Sequence, residues 1–103
     1  MKHEKILNLD QIIHAPTRLA ILSILITVEN ANFVFLKEST GTTDGNLSTH
    51  LTKLEKSGYI SIEKSFKGKK PQTTCAITKK GKKAFESYLE QLEQIVQMQK
   101  DKL

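Results

Sequence analysis

The sequence predicts a mainly α domain with one small β-hairpin and a long C-terminal helix. Three observations carry that prediction. Apolar residues recur at helical spacing in successive segments, the run from Tyr59 to Lys64 alternates as a strand does, and proline, glycine and threonine stand where helices start or stop. With 103 residues the chain has the length of a single domain, expected to fill residues 1–103, and no separate catalytic or ligand-binding domain of ordinary size fits beside it.

A short helix is expected from Ile6 to Ile13, ended by His14-Ala15-Pro16. Proline lacks an amide donor and fixes its own φ, so it suits the first turn of a helix and disfavours helix in the residue before it. A second helix is therefore predicted from Pro16 to about Val28, and its residues Leu19 to Ile26 are apolar nearly all round, which marks a buried central helix. A turn at residues 29–32 leads to a one- or two-residue strand at Phe33 and a short helix from Phe33 to Thr40. Gly41 can end that helix in the left-handed conformation. Thr43 is placed to accept a hydrogen bond from the exposed amides of the next helix, Asp44 puts negative charge at its positive end, and Leu47, Leu51 and Leu54 define one apolar stripe up to Ser57 and Gly58.

Two helices joined by a glycine-containing turn form a helix-turn-helix over about residues 33–57. Tyr59 to Lys64 then reads as a half-buried strand and Cys75-Ala76-Ile77 as the end of a returning one. Between them, Phe66 to Pro71 supplies a glycine for a tight turn, a proline tolerated at a hairpin edge and three lysines at the tip. A basic hairpin directly after a helix-turn-helix is a wing, here over about residues 59–77. The last segment, about residues 79–99, is an amphipathic helix capped by Thr78. It carries Phe85, Tyr88, Leu89, Leu92, Ile95 and Val96 on one stripe, and four lysines crowd its first turn, where the helix dipole disfavours them.

Charge is unevenly distributed. From Lys53 to Lys83 ten lysines face two acids, a local balance of +8, while the rest of the chain carries six bases and nine acids, a balance of −3. Such a concentration suits a polyanion, because each lysine set against a phosphate releases condensed counterions, and it also suits a solubilising surface.

The run Asp44-Gly45-Asn46-Leu47-Ser48-Thr49-His50-Leu51, followed by Lys53-Leu54-Glu55-Lys56-Ser57-Gly58-Tyr59-Ile60, resembles the recognition helix and first wing strand of MarR- and ArsR-like winged-helix regulators, above all the compact subgroup described as winged helix DNA-binding domains. Pro16-Thr17-Arg18-Leu19-Ala20-Ile21-Leu22 resembles the first core helix of that family, and Ile77-Thr78-Lys79-Lys80-Gly81 resembles the start of its last, so the resemblance spans about residues 9–90. It implies a winged helix-turn-helix fold and a DNA-binding transcription regulator, usually a dimer.

Roles follow from position on the helix. Gly45, Thr49, Thr52, Lys53 and Lys56 fall broadly opposite the leucine stripe, giving a small, polar and basic face suited to a major groove. Gly45 would allow close approach, Asn46 and Thr49 could read base edges, and Ser48, Lys53 and Lys56 would lie nearer phosphates, with Thr43 at the helix start. Lys67, Lys69 and Lys70 would reach backbone or minor groove. The last helix would extend about 30 Å at 1.5 Å per residue, longer than the core needs. A homodimer is therefore expected through Phe85, Tyr88, Leu89, Leu92, Ile95 and Val96, with Ile6, Leu7 and Leu9 added.

Other functions are poorly served. The single cysteine, Cys75, reads as a small core or strand residue, and His3, His14 and His50 have no metal-ligand spacing, so no metal and no cofactor are expected; His50 reads as a packed or capping residue. No phosphate loop, nucleophile elbow or paired-carboxylate pattern points to an enzyme. No apolar run is long enough for a membrane span and the start is too polar for a signal peptide, which predicts a cytoplasmic protein. No feature identifies a small-molecule effector. A second function class is a protein-interaction module that keeps the fold as a scaffold and docks a partner on the long helix.

Overall fold

A computed structural model describes residues 8–102 of the chain. Among the described residues there are four helices and three strands: α1 (Pro16–Thr27), β1 (Ala31–Asn32), α2 (Phe33–Thr40), α3 (Asp44–Lys56), β2 (Ile60–Lys67), β3 (Lys70–Ile77) and α4 (Lys79–Lys102). The antiparallel sheet has the order β1-β3-β2. β2 and β3 pair over their whole lengths, from Ile60 opposite Ile77 to Lys67 opposite Lys70, and β1 adds Ala31 opposite Cys75 and Asn32 opposite Thr74.

The segment before α1 departs from the expected helix. Ile6 and Leu7 lie outside the described residues, and residues 11–15 form turns and a bend. Asp10 is the cause. Its carboxylate accepts the amides of Ile12 and Ile13 at 2.8 and 3.2 Å, and its carbonyl accepts the amide of His14. This is the bonding of a helix N-cap, so Asp10 opens a single turn instead of lying inside a helix. The turn drives Ile13 into the core, where it is fully buried.

α1 begins with Pro16 in its first turn, as proline geometry favours, and touches α2, α3, α4 and β3. Ile21, Leu22 and Leu25 are buried on it, together with Arg18. The short strand sits one residue earlier than expected, at Ala31–Asn32, because Asn32 is needed as the cap of α2, where its side chain accepts the Phe35 amide at 2.8 Å. Gly41 ends α2 at φ 65°, a left-handed conformation that costs glycine little. Three residues separate α2 from α3, and Leu47, Leu51 and Leu54 on α3 are buried, closing the core with Leu36, Ile60, Cys75, Phe85 and Tyr88. The hairpin is longer than the alternation suggested. Its turn is only Gly68-Lys69, with positive φ at Gly68 alone, the pattern of a type II′ turn. Phe66 and Pro71 are thus strand residues paired across the ladder, and Pro71 lies beyond the reach of β1, so no third strand asks for its missing amide.

Candidate nucleic-acid interface

Two elements border one concave face. α3 presents its polar side, and the hairpin extends from its C-terminal end. Between them runs a groove of about 500 Å³ lined by Phe33, Ser48, Thr52, Ile62, Lys64 and Thr73 among others. Strand alternation explains the hairpin side of it: Ile60, Ile62, Lys64 and Phe66 share one face of β2, and their partners Ile77, Cys75, Thr73 and Pro71 share that face of β3. Towards the base this face is core, and towards the tip it is open.

α3 is oriented by the leucine stripe and by a buried arginine. Arg18 is only 9% exposed. Its Nε donates to the Ile12 carbonyl at 2.5 Å, Nη2 to the Gln11 carbonyl at 3.3 Å and Nη1 to His50 Nδ1 at 3.1 Å. One guanidinium thereby ties the N-terminal turn and α1 to the middle of α3. Because Arg18 can only donate, His50 accepts at Nδ1 and is neutral with its proton on Nε2. Burial first, then the charges of Arg18 and Lys53, hold the His50 pKa below its ordinary 6.5. His50 is half-buried, as its expected packing role requires. The arginine went unnoticed because a charged residue at the start of an apolar helix looks like a surface residue; its place inside the stripe of α1, three residues before Ile21, was the signal.

Every residue expected at the DNA face is exposed on α3 or the wing: Thr43, Gly45, Asn46, Ser48, Thr49, Thr52, Lys53 and Lys56, then Lys67, Lys69 and Lys70. The geometry refines several of them. Thr43 caps α3, its hydroxyl accepting the Asn46 amide at 3.2 Å. Thr49 donates its hydroxyl proton to the Gly45 carbonyl at 3.0 Å, which leaves it an acceptor and a methyl group to present outward. A Cβ at Gly45 would meet nothing within 4 Å, so the protein itself makes no demand for glycine there. Asp44 would oppose a phosphate, and Lys37 on α2 pairs with it at 2.8 Å. Lys64 and Thr73 in the groove, and Phe66 further out on the same strand face, were not anticipated. The alternation of β2 carried the signal, but the faces could be assigned only once the register was known.

The junction of wing and α4 is tightly made. The Thr78 hydroxyl donates to the Gly58 carbonyl at 2.6 Å and accepts the Gly81 amide at 3.0 Å, capping α4 while fastening it to the end of α3. A Cβ on Gly81 would lie 2.1 Å from the Tyr59 carbonyl oxygen. The Tyr59 hydroxyl donates to the Asp10 carboxylate; burial first, and that bond, push its pKa up to about 12. Lys80 is 5.8 Å from the centre of the Tyr59 ring, which offsets the unfavourable position of a cation in the first turn of a helix.

The apolar stripe of α4 is divided. Phe85 and Tyr88, expected at a subunit interface, are 4% and 2% exposed within the core of their own chain, and Tyr88 places its hydroxyl 2.7 Å from His14 Nδ1. Leu9 and Leu92 pack partly against that core. Leu89 and Val96 remain 45% and 51% exposed, with Ile95 half-buried beside them. Cys75 is fully buried, with its thiol pKa pushed up to about 11, chiefly by burial. Among the described residues no group of histidine, cysteine or acidic side chains could hold a metal ion, and no helix is long and apolar enough to cross a membrane.

Comparison with known proteins agrees with this geometry. Residues 17–96 match the family described as a winged helix DNA-binding domain. An uncharacterised protein of Methanocaldococcus jannaschii is 38% identical over 85 residues, covering 82% of this chain and 92% of its own. Among solved structures, a transcriptional regulator homologue of Pyrococcus horikoshii superposes with a TM-score of 0.83 at 26% identity, over 91% of this chain and 92% of its own. An ArsR family transcriptional regulator gives 0.58 at 26% identity, covering 94% and 95%. A MarR family regulator of Enterococcus faecalis gives 0.73 at 20% identity, covering 100% and 96%, a likeness of fold.

Proposed function

Because the chain belongs to the winged helix DNA-binding domain family, we propose that it is a transcription regulator that binds double-stranded DNA sequence-specifically as a homodimer. α3 enters the major groove, and the wing meets backbone or minor groove beside it. The observation that carries this reading is the concave face itself, where a helix with small polar residues outward and a hairpin rich in lysine border one open groove. Asn46, with a side-chain amide that no hydrogen bond engages among the described residues, and Thr49 read base edges; Lys53, Lys56, Lys67, Lys69 and Lys70 neutralise phosphates. The exposed Leu89 and Val96 on a helix of 24 residues are the surface for a second copy, and two recognition helices then address half-sites about 34 Å apart.

The test is binding to duplex fragments of genomic DNA at several salt concentrations. Replacing Lys67, Lys69 and Lys70 with glutamine should weaken binding to all sequences and lower the salt slope by about 0.9 for each phosphate that is no longer neutralised. Asn46→Ala should instead change which sequences are preferred, at about 1–3 kcal/mol for the base it reads. Gly45→Ala should separate the two roles of the helix: with open space at its Cβ, alanine stabilises α3 by about 0.5–1 kcal/mol while it weakens binding by obstructing approach. Wild-type protein without salt-sensitive DNA binding that instead co-purifies with a defined protein partner would support the interaction-module reading.

A further inference from the structure

On the premise that the wing meets DNA, we infer that Phe66, backed by Pro71, is an apolar wedge that enters the minor groove and bends the duplex beside the major-groove site. Phe66 is 74% exposed, the most open of the large hydrophobic residues among the described residues. It lies next to the hairpin tip, paired directly with Pro71, on the strand face that turns towards α3 and the groove. The hairpin does not need it there, because the core-facing part of β2 ends at Ile62. Lysines surround it, Lys64 on its own face and Lys67, Lys69 and Lys70 around the turn, so the aromatic ring stands within a cationic rim fitted to a polyanion.

The use made of arginine points the same way. Narrow minor grooves attract inserted basic side chains, arginine above all. The one arginine of this chain, Arg18, is buried beneath α3 and committed to two backbone carbonyls and His50. The wing therefore offers lysine for charge and Phe66 for shape. Side chains such as phenylalanine and proline, inserted between base steps, unstack them and kink the duplex by about 20–90°. From Ile62, beside α3, to Phe66 is four residues, or about 13 Å of strand, so the wedge stands clear of the bases that α3 reads. A kink costs least at pyrimidine–purine steps, so Phe66 confers a preference for TA or CA/TG steps at a position that no hydrogen bond reads.

The experiment uses full-length protein and a 30-base-pair duplex selected by the wild type from a random library, with fluorophores on both ends and 2-aminopurine at the flanking steps. Wild-type binding should shorten the end-to-end distance and brighten the 2-aminopurine. Phe66→Ala should lose both signals and about tenfold in affinity, with thermal stability and salt slope unchanged; Phe66→Leu, which keeps an apolar wedge, should retain most of the bend. An F66A protein that binds and bends the duplex as the wild type does overturns the wedge and leaves the DNA reading standing. A wild type with no salt-sensitive binding to duplex overturns both. Loss of binding by F66A to vesicles of phosphatidylglycerol, with duplex binding and bending intact, assigns Phe66 to an anionic membrane and also overturns the wedge.

Discussion

In α3 the leucines at spacings of four and three are all taken up by the chain's own core, whereas in α4 Phe85 and Tyr88 are taken up, Leu92 only in part, and Leu89 and Val96 stay in the open. The two helices have similar apolar periodicity and opposite remainders. What α3 leaves over is polar and cationic; what α4 leaves over is apolar. Periodicity therefore says that a helix has an inner face, and the depth of core available decides how much of that face is left for another molecule.

The strongest way to break the comparison is to remove a leucine that α3 gives to the core. Leu54 is fully buried, so Leu54→Ala should destabilise the fold by about 2–5 kcal/mol through reduced burial and an unfilled cavity, measured by urea denaturation. A small effect would mean that α3 is held by its caps and by Arg18 rather than by its stripe. On α4 the corresponding change should act on assembly. Leu89→Glu with Val96→Glu should convert a dimer to a monomer in sedimentation equilibrium, while altering the stability of the separate chain by no more than about 0.5 kcal/mol. Unchanged sedimentation would remove these residues from the interface. The smallest effect concerns the tie across the back of α3. The folded-state pKa of His50 lies below 6.5, so on acidification the unfolded chain takes up the proton first, and stability falls as the pH drops below about 6.5 towards the folded-state value. In His50→Gln the fall in melting temperature between about pH 7.5 and 5.5 should be shallower; an equal fall would assign the acid sensitivity to other groups.

What could be read from the sequence had local causes. Pro16 at the start of α1, Gly41 between α2 and α3, the Thr43 cap and the leucine stripe each act within one or two turns, and each element they predict lies within a residue or two of its observed place. What escaped depended on distant partners. The predicted helix before Pro16 gave way to a turn, at least from Gln11 onward, because Asp10 bonds its own neighbours and Tyr59, 49 residues away. Arg18 is intelligible only with His50 beside it, 32 residues further on. The candidate DNA residues on α3 were legible because helix phase alone turns them outward. Those on the wing were only partly legible, because the side on which Lys64 and Phe66 stand depends on a hairpin register fixed by a two-residue turn. The stripe of α4 gave a correct periodicity and an incomplete account of its use, since no local rule says that Phe85 and Tyr88 fall within reach of α1 and the preceding turn.

The close approach of Gly81 to the Tyr59 carbonyl has a mechanical consequence. With a backbone oxygen 2.1 Å from the place a Cβ would take, the joint has no room for a side chain, and Thr78 fastens it from the other side. This packing ties the direction of α4 to that of the hairpin. The hairpin tip lies about 26 Å from the joint, eight residues of strand, so a tilt of only about 5° between two long helices would carry each tip through about 2 Å. In the proposed dimer, a change in the angle at which the two copies meet would pass to the spacing of their wings.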